Sequence, residues 1–398
     1  MSDTWLIEPR DALVIRDARM AIGTNRMGSL DFPSPATVAG CLRTRLGPEG
    51  PDADYAYTKA LEVAGPWLVD VTDGQPPEPL CAAPADCFWT PTADGMLYRR
   101  RLLPTLAGVP AGQTDLKGLA LVESEPTPDG SDDPPPKDRK PLDTPPPFWR
   151  WRDLSTWLTA PSSGTVPHAE VAPITSEWRT HVRLDPEAGT ASEGHLFSVE
   201  GRRFVGVPTG AHLGSAQRFA LGVSVAGQLA QRLQPGVVRL GGEGRISRLV
   251  SGGVRPEPTN DLQKVILARG EGPHVWRVVL LTPAIFRDGW RPDDATIQSI
   301  FGEPPAQSDD PETAKAKRAQ LVAACVGRYE TLSGWDFAAR GGQGAPKPSR
   351  RAAPAGSVYW IKSRLPGEKL LENVWLKSLC DDAQDRLDGF GRMLLGVN

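Results

Sequence analysis

The sequence predicts an α+β protein made of two tandem ferredoxin-like domains, the layout of RNA-recognition folds, with long loop insertions in the first domain. The first observation behind this prediction is a repeated segment. Arginine and aspartate follow a strand that ends at proline at residues 15–19, after Pro9, and again at residues 286–291, after Pro283. A repeated pattern of this kind indicates that the two halves of the chain are built alike.

The second observation is a repeated Gly-x-Gly-Arg block, at residues 242–246 and 389–393. Each copy lies after a helix and before an apolar strand. The order in each half is strand, helix, strand, strand, helix, glycine-rich loop and strand, which is that of a ferredoxin-like domain. We therefore expect an N-terminal domain over residues 1–250 and a C-terminal domain over 251–398.

Composition limits the function further. The 398 residues include 41 glycines and 40 prolines, and the net charge is −3, so any bound nucleic acid requires locally concentrated positive charge. The five cysteines include no Cys-x-x-Cys pair, which indicates neither a disulfide framework nor a zinc knuckle, and no metal or cofactor is expected. No apolar run approaches membrane-spanning length, so we expect a reduced, cytoplasmic protein without a membrane partner.

The first half alternates strands and long loops around one clear helix. Ser34 suits the N-cap of this helix and Pro35 its first position, while Val38, Leu42 and Leu46 recur on one buried face. Strands are predicted at residues 5–7, 67–71, 87–89, 178–184, 194–207, 218–225 and 246–250.

Two segments of the first half interrupt this pattern. Residues 123–147 are acidic and proline-rich, with almost no apolar residue, and are expected to form a flexible surface insertion. Residues 148–158 predict an amphipathic helix whose Trp149, Trp151 and Trp157 form a docking face rather than a base-stacking surface.

The second half begins with the strongest strand of the chain, at residues 275–282. The remaining predictions are helices at residues 312–329 and 374–387, strands at 335–337, 357–361 and 393–397, and a flexible glycine- and proline-rich segment at 340–356.

A basic, glycine-bearing loop lies between the first strand and the first helix. It carries Arg16, Asp17, Arg19 and Gly23. The free N–H groups of the helix start point at this loop, and backbone donors beside guanidinium groups form an anion site that suits phosphate. The alternative is that Arg16 and Asp17 pair with each other and Gly23 only supports a turn.

Catalytic motifs are weak. Ser224 lies in a near match to the Gly-x-Ser-x-Gly nucleophile elbow in which alanine replaces the last glycine. His181 and His195 could face each other across a hairpin, but two polar residues on a solvated face explain them as well. Residues 6–46 contain no histidine.

Several blocks, in this order, resemble the RAMP proteins of CRISPR systems, and most of all the Cmr-type subunit three of type III-B effector complexes. These blocks are EPRDALVIRDAR (8–19), FPSPATVAGCLR (32–43), ASEGHLF (191–197), LGGEGR (240–245), LLTPAIF (280–286) and GFGRMLLG (389–396).

The resemblance implies a protein without catalytic activity that holds the repeat-derived 5′ handle of a guide RNA. It also implies docking on the large polymerase-like subunit and on the adjacent backbone RAMP subunit. The implied RNA-contacting residues are Arg16, Asp17, Arg19, Gly23, Ser34, Thr37, Gly40, Arg43, Gly241, Gly242 and Arg245. Their second-half counterparts, Arg287 and Arg392, are expected to be structural or to face a partner.

Two other functions stay open at this point. One is a guide-RNA-processing endoribonuclease that uses His181 or His195, which is disfavoured because RAMP nucleases rely on a histidine near the first loop and helix. The other is a protein scaffold without direct RNA contact. The net negative charge favours the scaffold, whereas the arginines clustered at residues 10–45 favour RNA binding.

Overall fold

A computed structural model describes most of the chain. The described residues are 3–16, 26–47, 57–92, 96–105, 119–126, 140–143, 145–166, 174–207, 215–304, 310–336, 339 and 344–398. Asp17, Arg19 and Gly23 lie outside them, as do residues 127–139 and 144 of the insertion expected to be flexible.

Strands dominate the described residues. Those of the first half are β1 (Asp3–Pro9), β2 (Arg26–Met27), β3 (Glu62–Asp70), β4 (Glu78–Ala82), β5 (Cys87–Pro91), β6 (Leu97–Pro104), β7 (Val122–Ser124), β8 (Phe148–Arg150), β9 (Gly164–Val166), β10 (Thr175–Leu184), β11 (Ala191–Arg203), β12 (Val205–Gly206), β13 (Gln217–Ala226), β14 (Gly236–Arg239) and β15 (Ile246–Ser251). Those of the second half are β16 (His274–Leu280), β17 (Gln320–Cys325), β18 (Glu330–Asp336), β19 (Ala345–Ala352), β20 (Val358–Ser363) and β21 (Met393–Val397).

Helices are fewer than strands among the described residues. They are α1 (Pro35–Leu46), α2 (Trp151–Thr159), α3 (Asn260–Leu267), α4 (Asp294–Phe301), α5 (Pro311–Ala316), α6 (Gly367–Val374) and α7 (Ala383–Asp388), with 3₁₀ turns at Tyr57–Ala60 and Gln228–Arg232. The mixed α+β class predicted from the sequence is confirmed.

The first half is organised on one large antiparallel sheet. Its central strands run in the order β15-β1-β13-β3, and β14, β4 and β8 extend it at the two edges. α1 lies between β1 and β3 along the chain, and a 3₁₀ turn lies between β13 and β15. Counted along the chain, the four central strands therefore lie side by side as fourth, first, third and second.

The second half repeats this order in a smaller sheet. Its antiparallel strands run β17-β20-β16-β21, which is second, third, first and fourth along the chain. Three smaller sheets lie outside these two: β5, β6, β7 and β9 in the first half, the β10–β11 hairpin with β2 in the first half, and the β18–β19 hairpin in the second half.

The sequence determines α1 as expected. The Ser34 side chain accepts a hydrogen bond from the Thr37 N–H and Pro35 occupies the first turn. Val38, Leu42 and Leu46 are buried against the first sheet. The helix thus holds the loop that precedes it near the end of β1 in that sheet.

The two halves share part of their core. Arg277 of β16 is fully buried and its Nη1 lies 2.9 Å from Oδ2 of Asp86, while Nε1 of Trp157 donates to the other oxygen of that carboxylate over 2.9 Å. Both charges of a buried ion pair need a partner. This contact therefore holds the segments that carry Asp86 and Trp157 against the second sheet. The predicted domain boundary near residue 250 stays a prediction.

Two predicted helices are correct at one end only, because strand or turn geometry replaces the rest: α5 covers residues 312–316 of the first, and α7 covers residues 383–387 of the second. Within residues 312–329, α5 ends at Ala316, and β17 follows because Leu321 and Ala323 alternate into the core beside β20. Within residues 374–387, α6 ends at Val374 and Leu376 has a φ of +56°, which no helix accommodates.

Two other predicted segments also differ. The segment 148–158 forms β8 and then α2, and its Trp149 and Trp157 are buried in the core of the chain, so they form no exposed docking face. Within the segment 340–356, the described residues form β19, which pairs with β18 and is not irregular.

Candidate nucleic-acid interface

The first loop and the first glycine-rich loop lie against each other. The backbone N–H of Gly242 donates to the carbonyl oxygen of Val14 over 2.7 Å. Gly241 has a φ of +78°, and a Cβ there would lie 2.5 Å from the same oxygen. Only glycine permits both this conformation and this approach, so the glycines that the sequence singled out hold the two loops together.

We call residues 13–16 and 240–245 together the platform, and Arg16 is exposed on it. Its side chain is 61% exposed, and its Nη2 donates to Oε1 of Glu243 over 3.2 Å. Glu243 itself has a φ of +58° between two glycines, which turns the loop toward Arg16. An exposed single ion pair is weak, so this guanidinium can exchange its partner for a phosphate.

Arg245 points toward the interior. Its Nη1 lies 2.6 Å from Oδ2 of Asp11, and Arg179 of β10 binds the same carboxylate through two hydrogen bonds of 2.7 and 2.8 Å. The hydrogen bonds from Arg179, with the charge of Arg245 beside it, lower the pKa of Asp11 to about 2. Arg245 therefore supports the base of the platform, and its contact with RNA stays a prediction.

The start of α1 satisfies its own polar groups. The hydroxyls of Ser34 and Thr37 lie 3.0 Å apart, and the Ser34 oxygen also caps the helix. The space where a Cβ of Gly40 would project is open. The start of α1 is thus partly buried, and contacts of Ser34, Thr37 and Gly40 with RNA stay predictions.

Arg43 has a structural role. Its Nη1 lies 2.6 Å from Oδ1 of Asp388 in α7, and its other nitrogens donate to the carbonyl oxygens of Thr58, Lys59 and Leu61. Its side chain is 12% exposed. The guanidinium therefore joins α1 to the second half, and an RNA contact by Arg43 stays a prediction.

The second-half counterparts differ from each other. Arg392 is buried and donates to the carbonyl oxygens of Val63 and Leu376, which confirms its expected structural role. Arg287 is exposed and lies 3.6 Å from Asp293.

In the described part of the chain, neither Ser224 nor His181 contacts a second catalytic side chain, and the side chain of His195 lies outside the described part. Ser224 is buried and its hydroxyl donates to the backbone of Asp3. His181 stacks on Phe197, with 5.4 Å between the ring centroids. Among the described residues no group of three His, Cys, Asp or Glu side chains could hold a metal ion, and no helix is long and apolar enough to cross a membrane.

The sequence did not indicate the acidic and hairpin residues that build this site. Asp11 anchors Arg179 and Arg245, and Arg202 donates to the backbone of Ser29 and Leu30 next to α1. The only sequence signal was the alternation that predicted the β10–β11 hairpin, because nothing local indicates which carboxylate a distant arginine will meet.

One family model matches nearly the whole of this chain. The sequence model of a family described as CRISPR-associated protein (Cas_Cmr3) matches residues 5–398. A chain of the type III-B Cmr-beta complex bound to cognate target RNA and AMPPnP shares 13% identity, with a TM-score of 0.45, over 90% of this chain and 86% of that chain. A chain of the same complex bound to cognate target RNA shares 14% identity with the same coverages and a TM-score of 0.42. No curated protein matches this chain.

Proposed function

Because the chain belongs to the Cas_Cmr3 family of CRISPR-associated proteins, we propose that it is a non-catalytic subunit of a type III-B effector complex that binds the repeat-derived 5′ handle of the guide RNA. The observation that carries this proposal is the platform formed by residues 13–16 and 240–245. It combines an exposed guanidinium with glycine backbone that a phosphate can approach closely.

The proposal treats the two sheets as ferredoxin-like domains. In both, the four central strands follow the order fourth, first, third and second, and a helix lies between the first two along the chain. In the first domain β1 and β15 are adjacent and antiparallel, so the loop after β1 and the loop before β15 lie at the same end of these strands. Handle recognition then depends on these two loops and not on the face of the sheet.

In this proposal the chain works in the cytoplasm as an assembly subunit in antiviral defence. It docks the large polymerase-like subunit onto the backbone RAMP subunit while it holds the guide. Within the chain, ion pairs join the first half to the second, Arg43 with Asp388 and Glu62 with Arg392 over 3.4 Å, so the two halves would dock as one body.

One observation favours a second candidate, a scaffold that holds other subunits without touching RNA. Two of the arginines expected to contact the handle, Arg43 and Arg245, are bound to carboxylates within the chain. A scaffold would leave RNA binding unchanged when Arg16 is removed.

The test compares Arg16→Ala with Arg364→Ala. Both arginines are exposed and each has one surface carboxylate partner, Glu243 for Arg16 and Glu303 for Arg364. The assay measures the affinity of the purified chain for an RNA with the repeat-derived 5′ segment, and for a scrambled RNA of equal length.

We expect Arg16→Ala to weaken binding of the handle RNA and of the scrambled RNA by a similar factor, because a phosphate contact carries no base sequence, and we expect little change for Arg364→Ala. Equal affinities for wild type and Arg16→Ala would refute the handle site and favour the scaffold. Cleavage of precursor RNA by the purified chain would instead refute the non-catalytic role.

A further inference from the structure

The β18–β19 hairpin lies outside the second sheet and has one exposed face. It is inserted between β17 and β20, the second and third strands of that sheet along the chain. On its inner face Leu332 is buried, and Arg350 forms two hydrogen bonds of 2.7 and 2.8 Å with Asp385 of α7. The hairpin is therefore anchored on one side, which leaves the other side open.

The open face presents two aromatic rings. Trp335 lies in β18, and Tyr329 immediately precedes that strand, six positions and about 20 Å away. Thr331 and Trp335 share one face of β18, and Arg351, which pairs with Thr331, contacts the Tyr329 ring, so both rings lie on that face. Tyr329 is 48% exposed and Trp335 51% exposed. A Cβ on Gly344, which has a φ of +79°, would lie 2.2 Å from the indole nitrogen of Trp335, so this glycine lets the ring lie flat across the hairpin.

Positive charge accompanies the rings. The guanidinium carbon of Arg351 lies 4.6 Å from the centre of the Tyr329 ring. Arg328 and Arg351 are exposed, and no carboxylate of the described residues pairs with either of them. The two acidic residues of the hairpin do not offset this charge, because Glu330 is partly buried and Asp336 lies 3.8 Å from Lys59.

From this arrangement we propose that the outer face of the β18–β19 hairpin is a second RNA-binding surface, which takes a single strand by stacking bases on Tyr329 and Trp335. Base faces are accessible only in unpaired RNA, and stacking accepts any base. The unpaired cations select a polyanion over a neutral protein surface, and Arg351 beside Tyr329 binds phosphate next to a stacked base. This surface is distinct from the platform around Arg16 and does not depend on handle recognition.

The experiment uses the full chain and an oligouridine of about 12 nucleotides, which contains no repeat sequence. Fluorescence anisotropy measures its affinity for wild type, for the double variant Tyr329→Ala/Trp335→Ala, and for Trp290→Ala. Trp290 is a matched control because its ring is also partly exposed, at 36%, and lies in the same half of the chain.

We expect the double variant to weaken oligouridine binding about tenfold or more, and Trp290→Ala to leave it unchanged. Arg351→Gln is expected to reduce the slope of log affinity against log salt by about 0.7. The same losses are expected in an Arg16→Ala background, which separates this surface from the platform.

Unchanged affinity in the double variant, with wild-type circular dichroism and thermal midpoint, would overturn the proposal. Crosslinking of 4-thiouridine RNA to wild-type protein gives a measurement that does not depend on the variants folding. We expect crosslinks in the peptide that contains Tyr329, and their absence while other peptides crosslink would also overturn the proposal.

Discussion

Replacing Arg43 by alanine distinguishes a structural role from an RNA contact. The substitution removes the partner of Asp388, whose side chain is only 5% exposed, and the donors to three backbone carbonyls. The carboxylate would then be left nearly buried with one remaining hydrogen bond, 2.7 Å from the side chain of Gln384. We therefore expect a large loss of stability.

The size of the loss follows from these contacts. Removing one partner of a buried ion pair costs about 3–5 kcal/mol, because the other charge remains without compensation. The Arg43 side chain is 12% exposed, so water can reach the site that it leaves. That water can hydrate part of the Asp388 carboxylate. We expect Arg43→Ala to lower the free energy of unfolding by about 3 kcal/mol.

Urea unfolding followed by circular dichroism measures this change. Arg45→Ala is the matched control, since Arg45 is an exposed arginine of the same helix with one backbone hydrogen bond of 3.3 Å, and we expect a change within about 0.5 kcal/mol. The double variant Arg43→Met/Asp388→Leu should regain at least half of the loss, because it removes both charges. A loss below about 1 kcal/mol for Arg43→Ala, together with weaker RNA binding, would refute this reasoning.

Two further predictions concern the platform. Gly241→Ala should destabilise the chain and weaken handle binding by more than Gly244→Ala does, as measured by thermal unfolding and RNA affinity. Both glycines have positive φ, +78° and +62°, but only the first has an atom within 4 Å of the added carbon, so equal losses would contradict the close approach to Val14. The pKa of Asp11 lies at about 2, below its ordinary value, so the stability it contributes is present above pH 4 and is lost as the pH falls through about 2. Asp11→Asn should therefore lower the free energy of unfolding by about 1 kcal/mol near pH 6, after allowance for solvent screening, and by progressively less below pH 3. Urea unfolding measures this difference, and an equal difference between the two proteins at every pH would contradict the prediction.

Local patterns determined much of the fold. The start of α1 was predictable because a serine cap and a following proline act on neighbouring residues only. The strands β10, β13, β15 and β16 were predictable because the sequence alternates or is apolar over the full strand. The ordered blocks from residue 8 to residue 396 also predicted the family, which the match over residues 5–398 confirms.

Only the tertiary structure decided which arginines are exposed. Arg16, Arg43 and Arg245 appear equivalent in the sequence, but the carboxylate partners of the last two lie 345 and 234 residues away along the chain. A pattern within one segment does not identify a partner that folding brings from another segment. The sequence therefore determined where the basic loop and the glycines lie, and the packing of distant segments determined that Arg16 remains exposed while Arg43 and Arg245 stabilise the structure beneath it.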